Sequence, residues 1–543
     1  MHLAIGHYSI GSLDGVNTVI WRTVTEFQHL NPELRITLFG KTAPDIDKFL
    51  PWKSGKLMYR NIAEMSPDYL VPGLEGKSVQ IQRVHDYIWH GTNVAERLQQ
   101  QFADADVVLM ENLSIGINPA ITYAFYLWSL WEYQAKSDKR FIVRVHDFAQ
   151  QRPANFSNIK KFQAFLPVDM PDWHQILYPS TPNIEYIAIN TNDYYRLMDH
   201  GVEPGRIWYL PNSIDDSLIR EKRHNGFLNS AGRLNGNNHS QLTSECQNLR
   251  RLLIERNKID PDATILFYPV RSIPRKNIEE SLYLLQLLNN LSQIPEYRDK
   301  YDLDPKYQLV ISLNGGSEEE KLYTRKIQDF IDEHHLPVTI DISDLVALHR
   351  EYDPDDPNRI LRYGVADMYM LAHMVVSTSI LEGFGFVFIE PWAAEKCIIG
   401  RNIPSVTMDF VKAGLSLGHL YSVLLVNGHD YADLGSGQPD NGLAIRLEEI
   451  KKLDSQDYLN QILNRNSASL KATLRLFRNK NRRIPRRTLV LNNRRKVLEN
   501  YSNRSVVSQL NRIILRQETP YAEPRLGSPR SGPYSPAMTQ LAP

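Results

Sequence analysis

Two stretches of the chain set charged side chains beside turn-forming residues at the end of an apolar run. The first is Ser379-Ile380-Leu381-Glu382-Gly383-Phe384-Gly385-Phe386-Val387-Phe388-Ile389-Glu390-Pro391-Trp392-Ala393-Ala394. It leaves a strand, passes a turn with two glycines and enters a helix. Glycines let backbone N–H groups approach a phosphate, and a helix N-terminus favours its negative charge. Glu390, read as lying on that helix about two turns after Glu382, is placed to reach a diol such as the hydroxyls of a ribose. Taken alone, the segment reads equally well as a plain strand–turn–helix with two surface glutamates.

The second stretch is Pro269-Val270-Arg271-Ser272-Ile273-Pro274-Arg275-Lys276-Asn277, again between a strand and a helix. Arg271 as a planar fork and Lys276 as a point charge suit a diphosphate. A nucleoside diphosphate that leaves a sugar gains negative charge as the bond breaks. Cations held ready there stabilise the transition state more than the ground state. A solvated basic turn is the plain alternative.

Both stretches need strands that aim them at one place. Short apolar runs alternate with longer helical patterns, the mark of α/β architecture with parallel sheets. The first half predicts strands at 3–6, 35–39, 107–110, 141–145, 186–189 and 207–210, and a crossover helix at 16–30. A second set predicts strands at 265–270, 308–313, 374–377 and 397–399, with helices at 277–291 and 318–334. Two doubly wound sets imply two domains facing a cleft, with ligands at the carboxyl ends of the strands. The boundaries read as a first Rossmann-like domain at 1–212 and a linker or insertion at 213–262, with a helix at 242–258. A second Rossmann-like domain follows at 263–480, basic helices at 481–516 and a disordered tail at 517–543, rich in Pro, Ser and Gly.

Taken together, the motifs resemble the retaining nucleotide-sugar glycosyltransferases of the GT-B fold, specifically glycosyltransferase family four. Glu382-x7-Glu390 with Gly-Phe-Gly after the first Glu is similar to that family's most specific motif, and Arg271-x4-Lys276 to its phosphate clamp. Leu210-Pro211-Asn212-Ser213-Ile214-Asp215 resembles the signature that closes the family's first domain. Gly11-Ser12-Leu13-Asp14-Gly15-Val16-Asn17 stands where the family has its first glycine loop, and Val143-Arg144-Val145-His146-Asp147 looks like its strand-end His-Asp. The resemblance spans roughly residues 1–479.

The resemblance implies roles. Glu382 contacts hydroxyls of the transferred sugar and Glu390 the ribose. Arg271 and Lys276 bind the diphosphate, with backbone N–H groups near Gly383, Phe384, Gly385 and Gly15. His146 lies beside the sugar on the acceptor side. Same-face attack retains the anomeric configuration, and protein cations do the work of a metal. C-terminal helices cross back to the first domain. Arg152 and Asn155 are candidates for an anionic or polyhydroxyl acceptor, although a plain loop is the favoured reading. Glu111 and Asn112, after the strand at 107–110, face the acceptor or serve a structural end about equally; His7 and Arg22 are read the same way. Two departures leave donor details open: Glu395-Lys396-Cys397 replaces Gly-Lys-Pro, and Gly400-Arg401-Asn402-Ile403-Pro404 replaces a glycine-rich turn.

Composition narrows the alternatives. Lys+Arg and Asp+Glu are both 62, so no net charge draws the chain to nucleic acid or anionic lipid. The Arg475–Lys496 cluster is better read as a solvated face than as a membrane contact. Two cysteines, no signal peptide and no membrane-length apolar run suggest a cytoplasmic protein. Candidate Asp-x-Asp metal motifs at 45–47, 104–106, 302–304 and 353–355 sit at the wrong end of a strand or in polar loops. No cofactor is expected, since the nucleotide sugar, with UDP or GDP leading, is the substrate. The expected activity is hexosyl transfer to a small-molecule, lipid or glycan hydroxyl. The alternatives are a catalytically weak nucleotide-sugar-binding regulatory subunit and a nucleotide-sugar epimerase of the same fold.

Overall fold

The computed structural model describes residues 1–11, 14–42, 56–66, 81–164, 166, 172–220, 243–436, 442–477, 485–517 and 520. Strands β1 (His2–Ile10), β2 (Arg35–Thr42), β3 (Leu57–Asn61), β4 (Val107–Glu111), β5 (Arg140–Val145), β6 (Ile184–Ala188) and β7 (Ile207–Tyr209) form one sheet. Its order is β3-β2-β1-β4-β5-β6-β7, with every pair parallel. Burial on both faces explains the unbroken apolar runs. Leu3 and Ile5 point to the helix Gly15–Leu30, while Ala4 faces the opposite core under the helices Ile81–Gln101 and Pro119–Gln134.

The second sheet holds β8 (Thr264–Arg271), β9 (Tyr307–Leu313) and β10 (Val338–Ile340). A small separate sheet, β11 (Val346–Ala347), β12 (Glu351–Tyr352) and β13 (Ile360–Gly364), interrupts it before β14 (Met374–Ser377) and β15 (Ile398–Gly400). The main order is β10-β9-β8-β14-β15, again all parallel. In each sheet the winding reverses once, between β1 and β4 and between β8 and β14. The crevice for a ligand opens at those two points.

The C-terminal helix does cross back. The helix Pro485–Tyr501 packs on Glu390–Ala393 beside the second sheet. Ser502 then caps a new helix, Asn503–Ile514, which lies against Gly15–Leu30. Val506, Val507, Leu510, Ile513 and Ile514 join Leu3, Ile5, Ile20 and Phe27 in one core. Arg140 on β5 donates to the end of that helix, at Ile513 O (3.2 Å) and Ile514 O (2.8 Å).

Several expectations shift. The helix expected at 242–258 runs Ser244–Glu255, because the Thr243 side chain caps it. Strands β3 and β10 and the small sheet were not expected. In the basic cluster, Arg494 pairs with Glu395 (3.4 Å) and Lys496 with Glu499 (2.8 Å), while Arg482 and Arg483 lie outside the described residues. So do the Asp45–Asp47 motif, most of the tail and the middle of the linker. No helix among the described residues is long and apolar enough to cross a membrane.

Leu510 is fully buried and Leu491 is 44% exposed. Leu510→Ala should cost about 2–5 kcal/mol and Leu491→Ala less than about 0.5 kcal/mol in urea unfolding monitored at the first sheet. Equal, small effects would mean that the returning helix is not part of the first core.

Candidate active site

The charged motifs lie at the two points of reversal. Beyond β8, the chain makes a 3-10 turn, Pro274–Lys276, and Asn277 takes a left-handed conformation (φ 50°) into the helix Ile278–Gln293. The Lys276 ammonium donates to Glu382 Oε1 at 2.5 Å, and Arg275 stands 3.7 Å from Glu382 Oε2. The Lys276 and Glu382 side chains are each 10% exposed. Burial pushes the Lys276 ammonium below the usual lysine range, and Glu382 partly offsets that. Tyr268, on β8, ties the two loops: its hydroxyl donates to Lys276 O (2.7 Å) and accepts from Thr378 N (3.1 Å).

Arg271 ends β8 and stays exposed. Lys276 is paired with Glu382, while Arg271 stands apart at the strand tip. The reason is local: the turn at Pro274 carries Lys276 inward under Tyr268, while Arg271 remains at the strand tip.

Glu390 does not sit two turns along a helix after Glu382. Gly385 is left-handed (φ 87°), a 3-10 turn spans Phe386–Phe388, and Glu390 is the first residue of the short helix Glu390–Ala393. Val406 forces the glycine, since a Cβ at position 385 would lie 2.5 Å from its Cγ1. The Phe384 side chain turns away into the core against Phe410 and Tyr501, so only its backbone is left to face a ligand. Gly383 and Gly15 have open space where a Cβ would stand, which leaves their backbones approachable. Gly15 opens the helix Gly15–Leu30, whose cap is Asp14, accepting from Asn17 N at 2.8 Å; Ser12 and Leu13 lie outside the described residues.

At the first sheet, His146 follows β5, and its Nε2 lies 2.8 Å from Glu111 Oε2 at the tip of β4. Glu111 is fully buried, with Arg144 at 3.9 Å and the His7 ring on its carbonyl at 2.8 Å. Burial works to raise the Glu111 carboxyl, but Arg144 and His146 outweigh it and hold it below the usual range. Glu111 Oε1 has no hydrogen-bond partner among the described residues. Asn112 is left-handed (φ 62°), and its Oδ1 accepts from the amides of His146 (3.1 Å) and Asp147 (2.8 Å). Its side chain thus shapes the loop. Asn155 does likewise, donating to Ile115 O at 3.0 Å, whereas Arg152 is exposed beside Asp147 (3.2 Å).

The two sheets meet through side chains that the motifs alone did not single out. Arg22, on the helix Gly15–Leu30, donates to Ser213 O (2.5 Å) and Glu390 Oε1 (3.3 Å), and lies 3.7 Å from Asp215. Asp409 accepts from Thr191 N and Oγ1, both at 2.6 Å. The 210–215 segment holds the crossing point: Ile214 N donates to Tyr501 O (2.8 Å), and Asn212 Oδ1 accepts from Arg144 (3.1 Å). Of the Asp-x-Asp candidates, Asp106 accepts from His2 N (2.6 Å) and Asp304 from the Thr264 hydroxyl (2.7 Å). Asp355 N donates to Asp353 Oδ1 (2.9 Å), a turn within the motif itself. Among the described residues no group of three His, Cys, Asp or Glu forms a metal-binding set.

No family model matches the chain. It is 25% identical over 406 residues to mannosylglucosyl-3-phosphoglycerate synthase of Petrotoga mobilis, 74% of this chain and 65% of that protein. It is 23% identical over 319 residues to mannosylglucosylglycerate synthase of Thermotoga maritima, 59% of this chain and 62% of that one. The chain therefore spans just under two thirds of the length of these curated relatives. Among solved structures it matches Anabaena HepE in complex with UDP, with a TM-score of 0.51 and 11% identity over 95% of this chain and 100% of that one. It matches OtsA at a TM-score of 0.50 and 11% identity, covering 95% and 99%. The chain has the GT-B fold. Two parallel sheets with facing carboxyl ends and a helix returning to the first sheet are its architecture.

Glu111→Gln leaves Arg144 buried without its counter-charge and should cost about 3–5 kcal/mol at pH 7. Because the Glu111 carboxyl is depressed in the folded chain, its contribution is present above the ordinary value of 4.5 and is lost as pH falls through the folded value. Chemical unfolding at pH 7 and pH 3.5 should show the gap between wild type and variant shrinking at the lower pH. A constant gap would mean that the carboxylate charge is not what stabilises this strand end.

Proposed function

We propose that the chain is a retaining glycosyltransferase of the family-four type. It moves a hexose from a UDP- or GDP-sugar to a hydroxyl of a small sugar acid, without a metal. The Lys276–Glu382 pair at the mouth of the second sheet carries this reading. An ammonium and a carboxylate, both desolvated and fixed by Tyr268 and Arg275, present a cation for phosphate and an acceptor for sugar hydroxyls within one hydrogen bond of each other. The names of the two relatives, both built on mannosylglucosylglycerate, support a mannosyl donor and an acceptor that carries an acid group. The exposed Arg152 near His146 suits such an acid.

In this reading Lys276 exchanges part of its contact with Glu382 for the donor β-phosphate, and Arg271 closes on the diphosphate from the strand tip. Glu382 holds hydroxyls of the hexose and Glu390 the ribose diol. The C1–O bond to phosphate breaks as the acceptor oxygen attacks the same face. The acceptor proton passes to the departing phosphate, whose growing charge the two cations stabilise. Glu111 fixes the His146 ring beside the sugar. Closure of the sheets keeps water from the donor.

The test is transfer itself. With UDP- and GDP-mannose and -glucose and a glucosylglycerate-type acceptor, one donor should yield a product whose NMR coupling shows retained configuration. Lys276→Ala should lower kcat/KM about 10²–10³-fold. The variant should stay folded, because Arg275 still faces Glu382. An inverted product would overturn the retaining mechanism, and binding of a nucleotide sugar without transfer would favour a regulatory subunit.

A further inference from the structure

Arg22 stands out as a buried charge contributed by the opposite sheet. It is 7% exposed on the helix Gly15–Leu30, yet it reaches Glu390 on the second sheet's side of the crevice. Its guanidinium lies 5.2 Å above the Phe386 ring, in the turn just before Glu390. It also donates to Ser213 O and neighbours Asp215, at the crossing between the sheets. Its Nε has no hydrogen-bond partner among the described residues.

Among the described residues two groups hydrogen-bond to Glu390. Arg22 takes Oε1 at 3.3 Å, and the Tyr369 hydroxyl takes Oε2 at 3.4 Å. Each carboxylate oxygen has two lone pairs, so each can accept one donor more. Two such positions on one carboxylate match a vicinal diol. Burial, with the nearby Asp215, raises the Glu390 carboxyl above its usual range, and Arg22 is the cation that opposes this.

We infer that Arg22 is a positioning residue for donor recognition, supplied by the acceptor-side sheet. It orients the Glu390 carboxylate so that its free lone pairs read the 2′- and 3′-hydroxyls of the nucleotide. The inference rests on the proposed role of Glu390 toward ribose. It makes the second sheet's nucleotide site incomplete without the first, so that ribose recognition and closure of the crevice are one event. A plain structural strut between the sheets would use the same contacts, and the two differ in what they do to selectivity for ribose.

The experiment is calorimetric titration of the full chain with UDP and GDP and with their 2′-deoxy forms. Wild type should prefer the ribonucleotide of its donor class by about 10-fold or more, the worth of one hydrogen bond to a charged group. Arg22→Met should bring that ratio close to one, weakening the ribonucleotide about 10-fold more than the 2′-deoxy form, which has only its 3′-hydroxyl contact to lose. Arg22→Gln, which keeps a donor for the Ser213 carbonyl, should do the same and guards against loss of folding by the first variant. Glu390→Gln should match them, and the double variant Arg22→Gln with Glu390→Gln should be no worse than either alone. If the Arg22 variants keep the wild-type ratio, or weaken both nucleotides alike, the inference fails. If Glu390→Gln also keeps the ratio, the ribose role of Glu390 fails first.

Discussion

A charge removed from water must find a partner, and that requirement organises the crevice. The strand ends where both sheets reverse carry Lys276, Glu382, Glu390, Glu111 and Arg144, all largely buried. None of these side chains is stable there singly. Lys276 answers Glu382 within the second sheet, Glu111 answers His146 and Arg144 within the first, and Arg22 answers Glu390 and Asp215 between the two.

Parallel strands make this arrangement possible. Their crossovers put every carboxyl end on one side, and a single reversal of winding leaves a gap between neighbouring loops. Two such sheets set mouth to mouth need anchors so that the gap is shared. The anchors are the segment around Asn212 and Ser213, the Tyr501 carbonyl that takes the Ile214 amide, and the helix Asn503–Ile514 packed on Gly15–Leu30. Asp409 adds a polar clasp at the rim, where it holds the first turn of the helix Thr191–Asp199. Motion of one sheet relative to the other has to break or slide these particular contacts.

The strands were legible because burial on both faces leaves runs such as 265–270 and 374–377 almost wholly apolar. The helix Gly15–Leu30 was legible from its period. β10 is a half-buried run of three residues, and the strands of the small sheet are two to five residues long with charges among them, too short to stand out. The motifs located both strand-end sites, but not which charge meets which. Lys276 and Glu382 are 106 residues apart and Arg22 and Glu390 are 368 apart, and no local pattern carries such pairings. Glu390 stands at the start of its helix rather than two turns along it, because the left-handed turn at Gly385, where a Cβ would meet Val406, cannot be foreseen from the residues next to it. For Asn112 and Asn155 the residues left an acceptor and a loop role open, because amides serve loops and ligands alike. In this chain they hold loops.

The central claim is that the crevice is a nucleotide-sugar site that needs no metal. Its most direct measurement is the unfolding midpoint of wild type and Arg271→Ala with UDP, GDP or ADP and their sugars, each with and without chelator. A ligand that binds only the folded chain adds about 2.7 kcal/mol of stability at 100 times its Kd. The account predicts that one nucleotide raises the wild-type midpoint regardless of chelator and that Arg271→Ala loses most of the rise. No rise with any nucleotide, or a rise that chelator abolishes, would contradict it.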